Sequence, residues 1–284
     1  MDLAFSLKLV PPADELNRRD GISALVRVRN EELWIEPSLL SIKDLVNEYV
    51  VIDSSTDNTT KIINEIKKEH SLNITHIIDF DEDIVRLSNK GLKHTRFKWI
   101  LRWDGDFVAR EEMLPIMRSM IDSLDHRKYY VIYWPHICLD GDLFHQDLRQ
   151  PLHFEHWLST YTPKMAFIKI PNGFEYLYVP PYQAKRIHIY TPLSFHLRTV
   201  KPPKRILLRK YWGELLSKNL FGKVSLEEYS KKRVREEYGV DSIEKAANIH
   251  FKEFLEQLSP YDKAKFRDYP VVLKKYVRKF GIVL

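Results

Sequence analysis

Between residues 22 and 134 the chain alternates between five short apolar runs and four longer amphipathic segments. The apolar runs have the length and β-branched content of strands, and the segments between them repeat apolar side chains at helical spacing. Such alternation favours an α/β protein with a mostly parallel sheet and helices on both faces, because each connection between strands has room for a helix. The predicted strands are 22–28, 49–52, 74–78, 99–103 and 129–134.

The pattern changes after residue 135. Residues 136–200 lose clean alternation and gain aromatic residues, prolines and histidines, and only 165–170 and 187–190 have the composition of strands. From residue 205 onward the apolar spacing is helical. The sequence therefore predicts a domain over 1–200 and a helical C-terminal subdomain over 201–284, whose four helices are expected at 205–220, 226–238, 242–258 and 261–279.

Charge is distributed unevenly along the 284 residues. Residues 201–284 carry 20 Lys and Arg against 11 Asp and Glu, although the net charge of the whole chain is only +6. A basic region of this kind can meet phosphates or anionic lipid, so peripheral contact of the C-terminal helices with the inner face of a membrane is one expectation. Nucleic acid is not expected as a partner, because no helix-turn-helix or repeated Arg/aromatic pattern occurs.

Other broad classes are excluded by simple features. No apolar stretch reaches the roughly 20 residues that a membrane-spanning helix needs, and no secretory signal is visible, so we expect a cytoplasmic protein. Cys138 is the single cysteine, which rules out an internal disulfide. The chain also lacks the glycine-rich dinucleotide fingerprint, the phosphate-binding P-loop motif and the Gly-x-Ser-x-Gly motif of hydrolases.

Two carboxylates, Asp104 and Asp106, directly follow the fourth predicted strand, with Gly105 between them. Oxygen ligands of this kind suit Mg²⁺ or Mn²⁺, and such an ion suits a diphosphate. Ligands of parallel sheets bind at the carboxyl ends of the strands. Asn30 and Asp53 also follow predicted strands, so we expect these polar side chains to share one edge, and we expect Gly105 to keep that edge clear for a ligand.

Four segments in this order resemble the nucleotide-sugar-binding half of family 2 glycosyltransferases with the GT-A fold, a Rossmann-like arrangement. The segments are ISALVRVRNEE (22–32), VVIDSSTDNT (50–59), SNKGL (88–92) and ILRWDGD (100–106). The resemblance covers roughly residues 20–125. One departure lies after the second strand, where Asp53 is followed at once by Ser-Ser-Thr-Asp, one residue shorter than the usual family pattern and without its glycine.

The resemblance implies a metal-dependent, inverting glycosyltransferase of the hexosyltransferase class. Such an enzyme moves a sugar from a nucleotide-sugar donor, here a UDP- or GDP-sugar, to a hydroxyl of a glycan, lipid-linked or protein acceptor, with Mn²⁺ or Mg²⁺ as cofactor. Asp104 would lie near the ribose and the metal, and Asp106 would bind the metal directly. The donor-binding residues implied by the resemblance are Arg27, Asn30, Asp53, Arg86, Asn89 and Lys90.

The second half of the chain resembles the family less clearly. By the same resemblance His196 would complete the metal shell or touch the diphosphate. Inversion needs a carboxylate that accepts the proton of the acceptor hydroxyl. Glu175, in the segment Gly173-Phe174-Glu175, is the first candidate for this base, with Asp142 and Glu155 in reserve.

Two other functions compete with the transferase. A phosphatase of the haloacid dehalogenase type also has Asp-x-Asp after an apolar strand, and there Asp104 would be the nucleophile and Asp106 the acid/base. That motif usually follows the first strand, whereas three strand–helix units precede it here. A basic carbohydrate-binding protein without catalytic activity is the third possibility. Metal-dependent binding of a sugar nucleotide would favour the transferase over both.

Overall fold

The computed structural model describes residues 11–280 apart from 82, 171–174, 181–183, 219 and 221. Its strands are β1 Arg19–Val28, β2 Glu48–Asp53, β3 Ile74–Ile78, β4 Phe97–Asp104, β5 Phe107–Ala109, β6 Tyr129–Cys138, β7 His145–Gln146, β8 Leu152–Thr160, β9 Ala166–Lys169, β10 Glu175–Tyr178, β11 Ala184–His188, β12 Ser194–His196 and β13 Ser259–Pro260. Its helices are α1 Ile35–Ser41, α2 Thr59–Glu69, α3 Ile84–His94, α4 Met113–Ser123, α5 Pro203–Ser217, α6 Leu226–Tyr238, α7 Ile243–Glu256, α8 Lys263–Phe266 and α9 Val271–Phe280.

The chain forms two compact units. The first contains residues 1–137, 152–196 and 268–274, and the second contains 138–151, 197–267 and 275–284. The largest segment of the second unit begins at Leu197, and the division expected from the sequence was at residue 200. The second unit also contains 138–151, a segment that sequence reasoning assigned to the first domain.

The central sheet of the first unit has the order β3-β2-β1-β4-β8-β6-β12-β5, with β11 beside β6. The four strands β3, β2, β1 and β4 are parallel, which confirms the predicted α/β class. Beyond β4 the sheet is mixed, because β8 lies between β4 and β6 and is antiparallel to both. The last strand of the predicted series, β6, is therefore not a direct neighbour of β4.

Helices and a hairpin cover the two faces of this sheet. Because side chains alternate along a strand, neighbouring residues of β1 enter different cores. Val26 packs in the core that contains Ile35 of α1, Ile63 of α2 and Met113 of α4. Leu25 packs in the opposite core, which includes Leu87 and Leu92 of α3 and Phe167 and Leu177 of the antiparallel hairpin of β9 and β10.

The second unit is built around α5, α6 and α7. Leu207 and Tyr211 of α5 are fully buried and pack with Val234 of α6 and Ala246 of α7. Side-chain caps define the starts of two helices, since Ser225 and Ser242 accept hydrogen bonds from backbone N–H groups of the first turns of α6 and α7. The helices expected at 205–220, 226–238 and 242–258 are therefore confirmed, with small shifts at their ends.

The single helix expected over 261–279 is wrong. The chain forms two helices there, α8 and α9, which are separated by Arg267 with φ of +67° and by Pro270. Proline cannot donate the helical backbone hydrogen bond, and its ring disfavours a helical residue before it. Apolar spacing alone did not reveal this interruption.

None of the helices within the described residues is long and apolar enough to cross a membrane. Peripheral membrane contact through the C-terminal helices stays a prediction. Part of the segment on which it depends, residues 281–284, lies outside the described residues.

Gly91 allows α3 to lie close to the sheet. A Cβ at this position would come within 2.5 Å of Leu25 and 2.8 Å of Ile52. We expect Gly91→Ala to lower the free energy of unfolding by about 1–3 kcal/mol, the usual cost of overpacking a core. Urea unfolding followed by circular dichroism would measure this loss.

Gly213 of α5 provides a matched control, because it is also helical and a Cβ there has no neighbour within 4 Å. Gly213→Ala should be neutral or stabilise by up to about 1 kcal/mol, the difference in helix propensity. Equal effects of the two substitutions would contradict the close approach of α3.

Candidate active site

The predicted site residues lie in the first unit, and most of them are near the carboxyl edge of the parallel strands. Hydrogen bonds join the loops that leave β1 and β2. Asn30 has φ of 59°, a left-handed conformation that asparagine tolerates better than most residues. Its Oδ1 accepts a hydrogen bond from the backbone N–H of Thr56 at 2.7 Å, and its own N–H donates to Ser55 Oγ at 2.8 Å. Asn30 therefore shapes the edge by joining the two loops.

Asp53, the last residue of β2, is completely buried. Its Oδ1 accepts a hydrogen bond from the N–H of Ser55 at 2.8 Å, and its Oδ2 contacts Thr60 Oγ1 at 2.6 Å and His76 Nε2 at 2.9 Å. Both oxygens are thus engaged within the protein. The resemblance assigned Asp53 to the nucleotide base or ribose, whereas the contacts here fix the loop between β2 and α2.

These contacts control the ionisation of Asp53. Burial by itself would raise the pKa of this carboxyl, but the hydrogen bonds from His76, Ser55 and Thr60 outweigh burial and lower the pKa to about 2. Asp53 is therefore a carboxylate throughout the neutral range. Its negative charge is balanced inside the fold by donors from three different parts of the chain.

Arg27 and Asp104 are neighbours across the sheet, because they are direct partners in the parallel register of β1 and β4. Arg27 Nε donates to Asp104 Oδ1 at 3.1 Å, and a second guanidinium nitrogen binds the same oxygen. The Asp104 side chain is 26% exposed. One carboxylate oxygen is thus held by Arg27, and the contact leaves Oδ2 outside it.

Gly105 is buried next to this pair, and its N–H donates to the carbonyl oxygen of Arg27 at 3.2 Å. A Cβ at this position would lie 3.0 Å from a methyl group of Val28 and 3.3 Å from Glu31. The glycine therefore fits the close approach of the β4 exit to the β1 exit, where a Cβ would require its neighbours to shift by a few tenths of an ångström. Its expected role in keeping the edge clear for a ligand stays a prediction.

Glu175, the predicted base, is at the start of β10, and its side chain is only 5% exposed. Ser88 Oγ of α3 donates to Oε2 of Glu175 at 2.6 Å, and the Arg27 guanidinium pairs with Oε1. Arg27 thus lies between two carboxylates, Asp104 and Glu175. The role of Glu175 as catalytic base stays a prediction. Residues 173 and 174, which precede it in the segment that resembles the family, lie outside the described residues.

The predicted phosphate-binding cations of α3 are paired with the loop that follows β3. Lys90 Nζ donates to Asp79 Oδ2 at 2.6 Å, and Arg86 forms an ion pair with Asp81. The hydrogen bond from Lys90 lowers the pKa of Asp79. The side chains of Arg86 and Lys90 are 58% and 42% exposed, so both cations lie at the surface near the carboxyl edge.

Asn89 differs from Arg86 and Lys90 in the group that it contacts. Its Nδ2 donates to the carbonyl oxygen of Phe167 at 2.9 Å, and its Oδ1 accepts from the N–H of Phe167, also at 2.9 Å. The side-chain amide thus binds the backbone of β9 as another strand would. Asn89 attaches the hairpin of β9 and β10 to α3, so its contacts are structural.

Asp106 and His196, which the resemblance named as metal ligands, lie close together. Asp106 lies in the turn between β4 and β5, and His196 ends β12, where it is the register partner of Phe107. Asp106 Oδ2 and His196 Nε2 are 3.8 Å apart, a separation at which both atoms can lie about 2.1 Å from one ion. Among the described residues no group of three or more His, Cys, Asp and Glu could hold a metal. A diphosphate and water would therefore have to supply the other ligands.

A buried aromatic cluster supports His196 from behind. The Phe107 ring lies edge to face with His196, at 4.7 Å between centroids, and 4.4 Å from the ring of His136. Trp134 Nε1 donates to Ser194 Oγ at 3.0 Å, so the Ser194 hydroxyl can donate in turn to His136 Nδ1 at 2.6 Å. Burial lowers the pKa of His136 well below its usual value, so His136 is neutral.

Of the two reserve candidates for the base, the structure describes the surroundings of Asp142, and both roles stay predictions. Asp142 belongs to the second unit, where its Oδ1 accepts from the N–H of Phe144 and contacts His145 Nδ1 at 2.8 Å. The side chain of Glu155, on β8, lies outside the described part of the structure.

Sequence reasoning missed the residues that hold the named ones in place. Ser88 binds Glu175, and His76 and Thr60 bind Asp53. Ser88 was visible inside the segment SNKGL, but nothing in the sequence linked it to a residue 87 positions away. His76 could have been found only from the register of β2 and β3, in which Val51 is its partner.

A comparison with protein families places more than half of the chain in one of them. Residues 23–176, more than half of the chain, match the family described as Glycosyl transferase family 2. Poly-beta-1,6-N-acetyl-D-glucosamine synthase of Staphylococcus epidermidis is 28% identical over 109 residues, which are 37% of this chain and 26% of the relative. The same enzyme of a second S. epidermidis strain is 28% identical over 97 residues, 33% of this chain and 23% of that protein. The chain thus spans about a quarter of the length of these curated relatives.

Among solved structures, S. aureus TarS residues 1–349 in complex with UDP has a TM-score of 0.41 at 15% identity, over 90% of this chain and 78% of the other. The same fragment in complex with UDP-GlcNAc has a TM-score of 0.38 at 16% identity, over 83% and 72% of the two chains.

Asp53→Asn should lower the free energy of unfolding at neutral pH by about 2 kcal/mol, which corresponds to the shift of the pKa from 3.8 to about 2. Because the pKa of the folded state is the lower one, this stabilisation is complete well above pH 4 and is lost as the pH falls toward 2. Urea unfolding at a series of pH values should show the difference between wild type and variant shrinking over that interval.

Thr60→Val serves as the control for that prediction, because it removes one donor but keeps the carboxylate. Its effect should be smaller and should keep a similar pH dependence. A wild-type free energy of unfolding for Asp53→Asn at pH 7 would contradict the buried, hydrogen-bonded carboxylate.

Proposed function

Because the chain belongs to glycosyl transferase family 2, we propose that it transfers a sugar from a nucleotide-sugar donor to a hydroxyl group of an acceptor. The observation that carries this proposal is the extent of the family match, which runs from β1 to β10 and includes Arg27, Asp53, Asp104, Asp106 and Glu175. The phosphatase alternative has no comparable support. The acceptor class, whether a glycan, a lipid-linked sugar or a protein, is left open by the proposal.

In this proposal the donor lies along the carboxyl edge of the parallel strands. Asn30 and Asp53 contribute by holding the loops after β1 and β2, since their side-chain oxygens are already bound within the protein. The base and ribose, of a UDP- or GDP-sugar, would lie against these loops. The diphosphate would reach the turn between β4 and β5, where Asp104 and Asp106 are located.

Arg86 and Lys90 would contribute most to phosphate binding by turning from Asp79 and Asp81 toward the diphosphate. Ion pairs of exposed side chains contribute little, about 0–1 kcal/mol. A diphosphate offers more negative charge and more acceptor oxygens than a single carboxylate. The exchange of partners is therefore energetically accessible, and it fits the position of these cations beside the edge.

The metal belongs to the same proposal. Asp106 and His196 would hold Mn²⁺ or Mg²⁺ through one carboxylate oxygen and one imidazole nitrogen. When bound, such an ion neutralises charge on the departing nucleoside diphosphate. The protein's own contribution is to orient the two ligands, and Phe107 packs against the His196 ring and limits its rotation.

Transfer with inversion completes the proposal. The acceptor oxygen bonds to the anomeric carbon, the bond from that carbon to the phosphate oxygen breaks on the opposite face, and the hydroxyl proton passes to a base. The sequence predicts Glu175 for this base. To act so, its carboxylate would have to exchange Ser88 or Arg27 for the acceptor hydroxyl.

Binding of UDP, GDP, UDP-N-acetylglucosamine and other UDP- and GDP-sugars should raise the melting temperature in the presence of Mn²⁺ or Mg²⁺. A ligand at 100 times its Kd stabilises the native state by about 2.7 kcal/mol. UDP-N-acetylglucosamine is included because the curated relatives make a polymer of that sugar. Unchanged melting across the panel would contradict the proposed function.

Asp106→Asn should weaken the metal-dependent part of this binding by about tenfold or more, since it removes a charged ligand. Isothermal titration with UDP, once in the presence of Mn²⁺ and once in the presence of a chelator, separates the metal-dependent part of the affinity from the metal-independent part. Asp125→Asn, at an exposed carboxylate in the loop after α4, should bind like wild type. Wild-type metal dependence in Asp106→Asn would contradict the assignment of this ligand.

A further inference from the structure

Arg27 joins two carboxylates that come from distant parts of the chain. Two of its guanidinium nitrogens bind Oδ1 of Asp104, and the third pairs with Glu175. Arginine suits this position because its planar group presents donors in a fixed fork. The side chains of Arg27 and Glu175 are 12% and 5% exposed, so their ion pair is shielded from water, while the Asp104 side chain is 26% exposed. Shielding makes the orientation of one group depend strongly on the other.

Glu175, Arg27 and Asp104 thus form a row of charged side chains. The Glu175 end of this row is held by several contacts. Ser88 Oγ donates to its carboxylate at 2.6 Å, and β10 pairs with β9 through Glu175 and Lys169. Asn89 attaches β9 to α3 by two hydrogen bonds to Phe167. The Phe167 ring also lies 5.9 Å from the guanidinium carbon of Arg27, within reach of a cation–π contact. At the Glu175 end the row is therefore anchored to α3 and to the hairpin of β9 and β10.

The Asp104 end is less constrained. Its side chain is 26% exposed, and Arg27 holds only one of its two carboxylate oxygens. The backbone around it is tight, because the Asp104 carbonyl accepts a hydrogen bond from Ser38 and Gly105 packs against Val28. The rotation of the Asp104 carboxylate is not fixed by these backbone contacts. Among the described residues, Arg27 is the group that orients it through Oδ1.

We propose that Glu175 acts through Arg27 as a positioning residue, which orients the Asp104 carboxylate for the nucleotide-sugar donor. This inference rests on the proposed function, because it requires that the donor bind beside Asp104. This role differs from that of a catalytic base and accounts for the contacts of Glu175 with Ser88 and Arg27. A base would in addition have to bring an oxygen within about 2.6–3.2 Å of the acceptor hydroxyl.

The two roles predict different behaviour of Glu175→Gln. The variant keeps the size of the side chain and loses the charge that fixes Arg27. A positioning role predicts that binding of UDP with Mn²⁺, measured by titration without any acceptor, weakens by about tenfold, as for other residues that orient a ligand-binding group. With acceptor present, the KM for the donor should rise by a similar factor. A base would leave UDP binding unchanged and lower kcat alone.

Glu48 offers a matched control at the opposite end of the same strands. It is also buried, it accepts a hydrogen bond from Ser23 Oγ at 2.6 Å, and it binds Arg96 Nε at 2.6 Å. Glu48→Gln therefore removes the same kind of contact, but at the amino end of β2. We expect it to lower the melting temperature and to leave the Kd for UDP unchanged.

The outcomes are separable. UDP binding by Glu175→Gln at the wild-type Kd would overturn the inference and leave the proposed function intact. Equal weakening in Glu175→Gln and Glu48→Gln would also overturn it, because the effect would then be general. Absence of binding by the wild type to both UDP and GDP with Mn²⁺ would overturn the proposed function and the inference with it.

Arg27→Lys provides a second route if Glu175→Gln does not fold. Lysine keeps the positive charge but has no planar fork to bind two carboxylates at once. Arg27→Lys should lose as much UDP affinity as Glu175→Gln. Ser88→Ala should have an affinity between those of the wild type and Arg27→Lys, because it removes a contact of Glu175 but keeps all charges. Wild-type affinity in Arg27→Lys would overturn the inference.

Discussion

The parallel pairing of β1 with both β2 and β4 is the constraint on which the site depends. It makes Val28 the partner of Asp53 and Arg27 the partner of Asp104, so the exits of three strands meet at one edge. Each exit is then joined to the next by a polar contact, from Asn30 to Thr56 and from Arg27 to Asp104. The spacing of the charged groups at this edge is thus determined by the backbone hydrogen bonds that fix the register of the strands.

The sequence was sufficient for the parts of the fold that depend on local pattern. Alternating apolar runs located β1 to β4 and β6, and helical spacing located α5 to α7, because each of these elements buries a regular face. The family resemblance also named Asp106 and His196 together, and their side chains lie 3.8 Å apart. Membership of the family agrees with that resemblance.

What the sequence could not supply is pairing between distant segments. β8 has no regular alternation, yet it lies between β4 and β6, where its neighbours determine its extended form. Likewise the contact of Ser88 with Glu175 and that of His76 with Asp53 depend on register and on hairpin placement. The family resemblance implied donor-binding roles for Asp53 and Asn89, which stay predictions, and it did not reveal the contacts by which both residues also hold the fold together.

The two buried anchors of the site differ in their sensitivity to acid. His136 is neutral beneath Phe107, and in the unfolded chain it takes up a proton below its ordinary pKa of 6.5, so the free energy of unfolding falls as the pH drops below that value. Asp53, with its pKa lowered to about 2, keeps its contacts until far lower pH. Mild acid therefore destabilises the fold through the buried imidazole before it reaches the carboxylate that holds the loop after β2.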